Sequence, residues 1–277
     1  MSPDEYCQQK AAASGSSFYY SFLFLSPERR RAITALYAFC REVDDVVDEC
    51  SDTSLARAKL DWWRAEVARL FAGNPDHPVT HALAPGAAAY GITAVRLNEI
   101  IDGMQMDLDQ TRYLDFAALE RYCYHAAGVV GILSAGIFGY HDPRTLEYAR
   151  NLGLAFQLTN IIRDVGEDAR KNRIYLPMNE LKEFGVPAAD LLSARPGESF
   201  VRLMQFQAHR ADSYYARALD TLPAVDRRAQ RPGLIMAAIY RALLEEVERD
   251  GFQVLTRRTS LTPLRKFWLA WKTWVTA

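Results

Sequence analysis

Apolar residues recur along most of this chain at steps of three and four, and strict alternation is scarce, so the pattern predicts helices rather than strands. A helix is expected over 26–49, where Ser26 stands as a cap and Pro27 takes the first helical position, at which its missing N–H costs nothing. Further helices are expected over 55–71, ending at Gly73-Asn74-Pro75, and over 94–106 after Thr93. Another starts after Asp115 and carries Gly128, Gly131, Gly136 and Gly139. The last three run from Asp142-Pro143 to about 168, over 200–222 and over 232–250. The four glycines lower helix propensity, but they permit close helix packing or open space beside the backbone. The longest irregular piece is expected over 170–198, which holds Pro177, Pro187 and Pro196. Connections are mostly short, with no repeat and no Gly/Ser linker. The expected fold class is therefore all-α, a single domain over 1–277 with antiparallel neighbouring helices.

Two of these helices carry matching polar stripes. Tyr37, Arg41, Asp44 and Asp48 follow at steps of four, three and four, so they share one face. Gln157, Asn160, Asp164 and Asp168 follow at steps of three, four and four, and Gly153 extends that stripe backward. Asp45, Glu49 and Glu167 flank them. Like charges one turn apart weaken a helix by about 0.2–0.5 kcal/mol. Both helices are otherwise apolar, through Ile33, Leu36, Val43, Val46 and Val47 in one and Leu154, Phe156, Leu158, Ile161 and Ile162 in the other. Carboxylates facing inward from such helices need a counter-charge. Mg²⁺ supplies it, because it takes one or two carboxylates, keeps several waters and completes its shell with substrate phosphate oxygens. One DxxxD pair alone reads as a solvated acidic face; two matched pairs inside apolar helices point to metal and diphosphate. A basic cluster, Arg163, Arg170, Lys171 and Arg173, precedes Tyr175 and is suited to clamping a leaving diphosphate. Ser14-Gly15-Ser16-Ser17-Phe18 offers hydroxyl and backbone donors to phosphate, and reads equally as a loop entering a helix.

Composition narrows the function classes. The 277 residues are 49% hydrophobic, enough for a sizeable core, and 33 Lys plus Arg against 34 Asp plus Glu leave a net charge of −1. No overall field draws nucleic acid, so phosphate binding must come from local clusters or metal. Cys7, Cys40, Cys50 and Cys123 form no CxxC pair and suit neither zinc nor a disulfide scaffold, which suggests a reducing, cytoplasmic setting. No histidine follows a glutamate at di-iron spacing, and His141-Asp142 reads as a cap at a turn. The N-terminus lacks a signal-peptide pattern, and no apolar run reaches the roughly 18 residues of a spanning helix.

The segments Tyr37-Ala-Phe-Cys-Arg-Glu-Val-Asp-Asp-Val-Val-Asp48, Gln157-Leu-Thr-Asn-Ile-Ile-Arg-Asp-Val-Gly-Glu-Asp168 and Arg173-Ile-Tyr-Leu-Pro177 resemble the squalene and phytoene synthase family. Tyr122 to Gly131 and Tyr240 to Arg249 are similar to it too, so the likeness covers nearly the whole chain. The string from Gly15 to Glu49 looks most like the bacterial presqualene diphosphate synthases of hopanoid pathways. The resemblance implies an isoprenoid synthase helical bundle around a central cavity. It implies that Asp44, Asp48, Asp164 and Asp168, with Asn160 beside them, bind Mg²⁺ and diphosphate. It makes Arg41, Arg173 and Tyr175 diphosphate contacts, sets Ser16, Ser17 and Phe18 at the substrate, and places Tyr37, Gln157 and Tyr240 in the reaction cavity. Several relatives carry a basic residue just before the position of Phe18, which this chain lacks.

The implied reaction joins two farnesyl diphosphates to presqualene diphosphate with Mg²⁺ as cofactor. The sibling alternatives are a phytoene synthase using geranylgeranyl diphosphate and an NADPH-dependent squalene synthase; the non-enzyme alternative is a helical interaction protein. Bulky groups such as Phe22, Phe24, Phe138 and Phe156 are candidates to cap the cavity. Expected partners are the prenyl diphosphates and downstream isoprenoid enzymes, with no nucleic acid. In the tail over 262–277, Leu264, Phe267, Trp268, Trp271, Trp274 and Val275 form one helical stripe with Arg265, Lys266 and Lys272 off it. That stripe either adheres to the inner face of a membrane or docks on the chain's own bundle.

Overall fold

Helix-forming periodicity translates directly into the computed structural model, which describes residues 1–13, 21–22, 24–50 and 52–277. The helices are α1 (Pro3–Ala13), α2 (Pro27–Glu49), α3 (Thr53–Phe71), α4 (Pro78–Ala87), α5 (Ala94–Asp109), α6 (Phe116–Cys123), α7 (Val129–Phe138) and α8 (Arg144–Arg170). Two short helices follow, α9 (Met178–Glu183) and α10 (Ala188–Leu192), then α11 (Glu198–Thr221), α12 (Arg231–Arg249) and α13 (Pro263–Thr276). Among the described residues extended pairing is limited to one bridge, Arg112 with Ile174. The fold class is all-α, as the periodicity requires.

Local chemistry explains the boundaries. Thr93 accepts a bond from Arg96 N and Asp115 from Ala118 N, so both cap as their positions suggest. Ser26 occupies the cap of α2 but its side chain makes no cap bond; Pro27 alone marks the start. The stretch over 170–198 is less irregular than its prolines imply, because Pro177 and Pro187 stand at the N-caps of α9 and α10. α1 and α4 lie outside the helices expected from periodicity, and α4 carries Pro85 in its interior. The glycine-bearing helix is broken by a π-helical turn, Tyr124–Gly128, between α6 and α7. It ends at Gly139, whose φ of 90° is open to glycine at little cost.

The glycines decide how closely helices approach. A Cβ on Gly153 would lie 2.4 Å from Ala127 O, and one on Gly131 would lie 2.3 Å from Ala149 O. The segment through the π turn and α7 therefore packs backbone against backbone on α8, and side chains there would force the helices apart. Buried apolar residues form two clusters, one drawn mainly from α1–α5 and α7, the other from α6 and α8–α13. α2 and α7 on one side face α8 and α12 on the other.

The start of α8 is held by a distant carboxylate. Asp226, fully buried, accepts His141 N at 2.7 Å, Asp142 N at 2.9 Å and Thr145 Oγ1 at 2.7 Å. His141-Asp142 does sit at a helix start, with Asp142 Oδ1 accepting Arg144 N at 2.9 Å, but the long-range cap is Asp226. Burial alone would raise the Asp226 pKa, yet these bonds prevail and bring it from the usual 3.8 down to about 2. A depressed carboxylate contributes stability above its unfolded pKa and loses it as pH falls through the folded value. Asp226→Asn should therefore lower stability by about 2 kcal/mol at pH 7, with the gap to wild type closing between roughly pH 4 and pH 2. Urea titrations at stepped pH check this; a gap that persists at pH 2 would be contrary to it.

Candidate active site

The direction of the helices gives the cavity two unlike ends. Arg29 Nη1, near the start of α2, donates to Phe138 O at 2.6 Å, and Gln230 Nε2, at the start of α12, donates to Gly139 O at 2.9 Å. These bonds knit the beginnings of α2 and α12 to the end of α7 and form a floor. The C-terminal halves of α2 and α8 carry the aspartates at the opposite end, where Arg173 Nη1 reaches Asp48 Oδ1 at 3.1 Å. Between floor and carboxylates lies a mostly apolar cavity of about 170 Å³.

Tyr37, Gln157, Asn160 and Tyr240 all line this cavity. Phe22, Phe138 and Phe156 line it too, whereas Phe24 does not; its ring stacks on Trp274 at 4.7 Å. Arg41 lies above the cavity, with Nη1 on Asp44 at 2.6 Å and Nη2 on Asp45 at 2.5 Å. Arg173 and Lys171 both pair with Asp48. Asp164 is gripped by Arg163 and by Arg258, whose Nε lies at 2.8 Å. Tyr175 is buried, and its hydroxyl is spent on another residue, Asp107, at 2.8 Å. Ser16, Ser17 and Phe18 lie outside the described residues.

Burial and charge crowding act together on the aspartates. Burial, then the neighbouring Asp48, Asp107 and Asp45, pushes Asp44 up to about 6 against the pull of Arg41. Burial, then Asp164 and Asp107, pushes Asp168 up to about 7 against Arg173 and Lys171. Burial would also raise Asp164, but hydrogen bonds from Arg163 and Arg258 hold it below the usual value.

Sequence reasoning missed Asp107. It is 8% exposed on α5, and its oxygens accept Tyr122 OH at 2.9 Å and Tyr175 OH at 2.8 Å. Burial raises it to about 6, opposed by Tyr175, Arg173 and Tyr122. A signal existed: Asp107 continues the buried stripe of Leu97, Ile100 and Met104 at helical steps, where a lone carboxylate must be partnered. Arg258 sits in a loop, where no periodic signal marks it.

The residues fit a hard divalent cation. Asn160 Oδ1 is buried with no hydrogen-bond partner among the described residues, in line with the carboxylates of the same stripe. No three His, Cys, Asp or Glu side chains among the described residues converge into a protein-only cage. Mg²⁺ takes one or two carboxylates and completes its shell with water and substrate phosphate. The residues that would hold it are Asp44, Asp48, Asn160, Asp164 and Asp168.

Two carboxylate helices over a blind apolar cavity, in an all-helical cage, define the isoprenoid synthase class. Its structural relatives include a dehydrosqualene synthase solved with a ligand, at TM-score 0.90 and 27% identity over 99% of this chain and 96% of that one. Squalene synthase HpnC from Alicyclobacillus acidocaldarius matches at TM-score 0.81 and 27% identity, over 90% of this chain and 94% of that one. In sequence, 15-cis-phytoene synthase of Synechococcus elongatus is 36% identical over 274 residues, covering 95% of this chain and 89% of that protein. Phytoene synthase of Arthrospira platensis is 34% identical over 275 residues with the same coverage. Plant relatives are longer: the chain spans 63% of the length of phytoene synthase 1 of Arabidopsis thaliana, at 35% identity. A family model described as squalene/phytoene synthase matches residues 11–265, and the chain belongs to that family of head-to-head prenyltransferases.

Proposed function

We propose that this protein condenses two farnesyl diphosphates into presqualene diphosphate, releasing one diphosphate. The observation that carries the reaction is the pair of aspartate stripes standing over an apolar cavity whose far end is knitted shut. Bound Mg²⁺ would supply charge neutralisation for the departing diphosphate. Arg41, Arg163, Arg173 and Arg258, already gathered at the aspartates, supply guanidinium donors for the phosphate oxygens. The C1–O bond of one farnesyl group breaks, and its electron pair leaves with the diphosphate. The resulting allylic cation sits in a cavity that excludes the water that would quench it. The C2–C3 double bond of the second farnesyl group attacks C1. Loss of a proton from that carbon closes the cyclopropane, and the second diphosphate stays attached. Burial raises the Tyr240 pKa, so its phenol keeps its proton and lines the cavity as a neutral dipole; the leaving diphosphate is the base. Gln157, hydrogen-bonded to Asn160, presents a second neutral dipole beside the cation.

Incubation with farnesyl diphosphate and Mg²⁺, followed by mass spectrometry, tests the reading. A C30 monodiphosphate that persists when NADPH is added supports it. Squalene formed only with NADPH would make it a squalene synthase. The phytoene synthases among the sequence relatives favour a second reading, geranylgeranyl diphosphate to phytoene, and efficient turnover of that substrate would establish it.

We propose further that the tail over 262–277 rests on an anionic bilayer. No helix among the described residues is long and apolar enough to cross one. Of the six stripe residues, Trp274 turns inward: it stacks on Phe24, and Arg231 lies 4.9 Å over its ring. Leu269 and Ala270 pack inward beside it, so α13 docks on the bundle through one face. The other face stays bare, with Leu264 83% exposed and Phe267, Trp268, Trp271 and Val275 all more than half exposed. Lys272 lies over Trp268 at 5.0 Å, placing a cation beside the apolar row. Changing Phe267, Trp268 and Trp271 together to serine is expected to reduce flotation with vesicles containing phosphatidylserine by about tenfold, leaving the docked face intact. Equal flotation of variant and wild type would rule the surface out.

A further inference from the structure

We propose that Tyr148 sets the length of prenyl chain this cavity accepts, its ring forming the stop against the tail of a farnesyl group. The proposal rests on the farnesyl reading above and assigns that choice to one side chain. Tyr148 lines the cavity near the beginning of α8 and is only 1% exposed. Its ring reaches from α8 to α12: a Cβ built on Gly233 would lie 2.6 Å from the Tyr148 hydroxyl. Gly233 is therefore the one residue type that lets the phenol extend fully to the α12 backbone. The hydroxyl has no hydrogen-bond partner among the described residues. A buried, unsatisfied hydroxyl is unfavourable, so polarity does not account for a tyrosine here; reach does. Behind it Gln230 is fixed to Ala135 O at 3.2 Å and Gly139 O at 2.9 Å, which makes the floor beyond the ring unyielding.

The depth matches three isoprene units. Tyr148 precedes Asn160 by twelve residues on the same helix, a drop of about 18 Å at 1.5 Å per residue. An isoprene unit advances four chain bonds, about 5 Å when extended, so a farnesyl chain spans roughly 15 Å and a geranylgeranyl chain roughly 20 Å. With C1 level with Asn160 and the diphosphate above it at the aspartates, the first ends above the phenol and the second runs into it. The phenol is close in bulk to one isoprene unit, so removing it opens room for one more.

The test compares kcat/KM for farnesyl and geranylgeranyl diphosphate, with Mg²⁺, in wild type, Tyr148→Ala, Tyr148→Leu and Tyr148→Phe, and measures product mass. The geranylgeranyl-to-farnesyl ratio should rise by about tenfold or more in Tyr148→Ala, with C40 product appearing. It should stay within about twofold in Tyr148→Phe, which keeps the wall and loses only the unpartnered hydroxyl. Thermal melts identify a variant that fails to fold; if the alanine does, the leucine carries the comparison. Folded alanine or leucine variants with an unchanged ratio would overturn the proposal while leaving the farnesyl reading in place. A wild type that already prefers geranylgeranyl diphosphate would instead overturn the farnesyl reading, and the proposal with it.

Discussion

Asp168→Asn is expected to lower kcat/KM by about 10³-fold, and to raise the melting temperature measured in EDTA by about 2 °C or more. The two effects have one cause. Asp168 is pushed up to about 7 by burial first and then by repulsion from Asp164 and Asp107, so its charge strains the fold that it serves. An amide of the same shape removes that repulsion and, with it, the anionic oxygen needed for the cation. Asp164→Asn should be equally inactive, but less stable than wild type. Its carboxylate is favourably held by Arg163 and Arg258, and loss of the charge leaves two guanidinium groups facing an amide. Opposite signs in the two melting shifts, alongside a common loss of turnover, are the signature to look for. Turnover unaffected by excess EDTA, or wild-type kinetics in Asp168→Asn, would remove these residues from the chemistry.

Asp107→Ala should reduce turnover by about 100-fold and stability by about 2 kcal/mol, although Asp107 belongs to neither stripe. Its two oxygens are the acceptors for Tyr122 and Tyr175, whose rings stack at 5.1 Å. Deleting the carboxylate leaves the two buried hydroxyls with only each other as partners. Tyr175 lies two residues after Arg173, which grips Asp48, so loosening one end of this short segment loosens the other. Tyr175→Phe separates the effects, because it leaves Asp107 charged and bonded to Tyr122. Chemical denaturation and steady-state kinetics on the two variants give the comparison. A fully active Asp107→Ala enzyme would show that the buried tyrosine pair is only packing.

How far the sequence could be read follows from where each signal lies. The stripes of α2 and α8 were legible because a helix repeats every 3.6 residues, and carboxylates at four-residue steps in apolar surroundings have few explanations. α12 was equally plain. α1 was not, because its short, polar sequence lacks a strong apolar stripe, and α4 was hidden by its two prolines. The π turn at Tyr124–Gly128 was invisible, since the small residues that permit it also permit a regular helix. In the site, residues on the two marked faces were found, while Asp107 and Arg258 arrive by tertiary packing from α5 and from the loop before α13. Phe24 looked like a cavity residue by its neighbours in sequence. It instead meets Trp274, 250 positions away, a pairing that only the folded chain declares.

The guanidinium grips on the aspartates carry a thermodynamic consequence. Arg41 on Asp44, Arg173 and Lys171 on Asp48, and Arg163 and Arg258 on Asp164 occupy oxygens that a divalent cation also seeks. Each such group can serve the carboxylate or a phosphate, and not both at full strength. A diphosphate that draws the arginines away uncovers the carboxylates for the cation, and a cation on the carboxylates sets the arginines free for phosphate. The two ligands are thus linked, each tightening the other by the same factor, as reciprocity between sites demands. Inorganic diphosphate should sharpen the Mg²⁺ binding isotherm, and either ligand alone should bind weakly. The site fills as a unit, so ionisation of the substrate waits on the arrival of both.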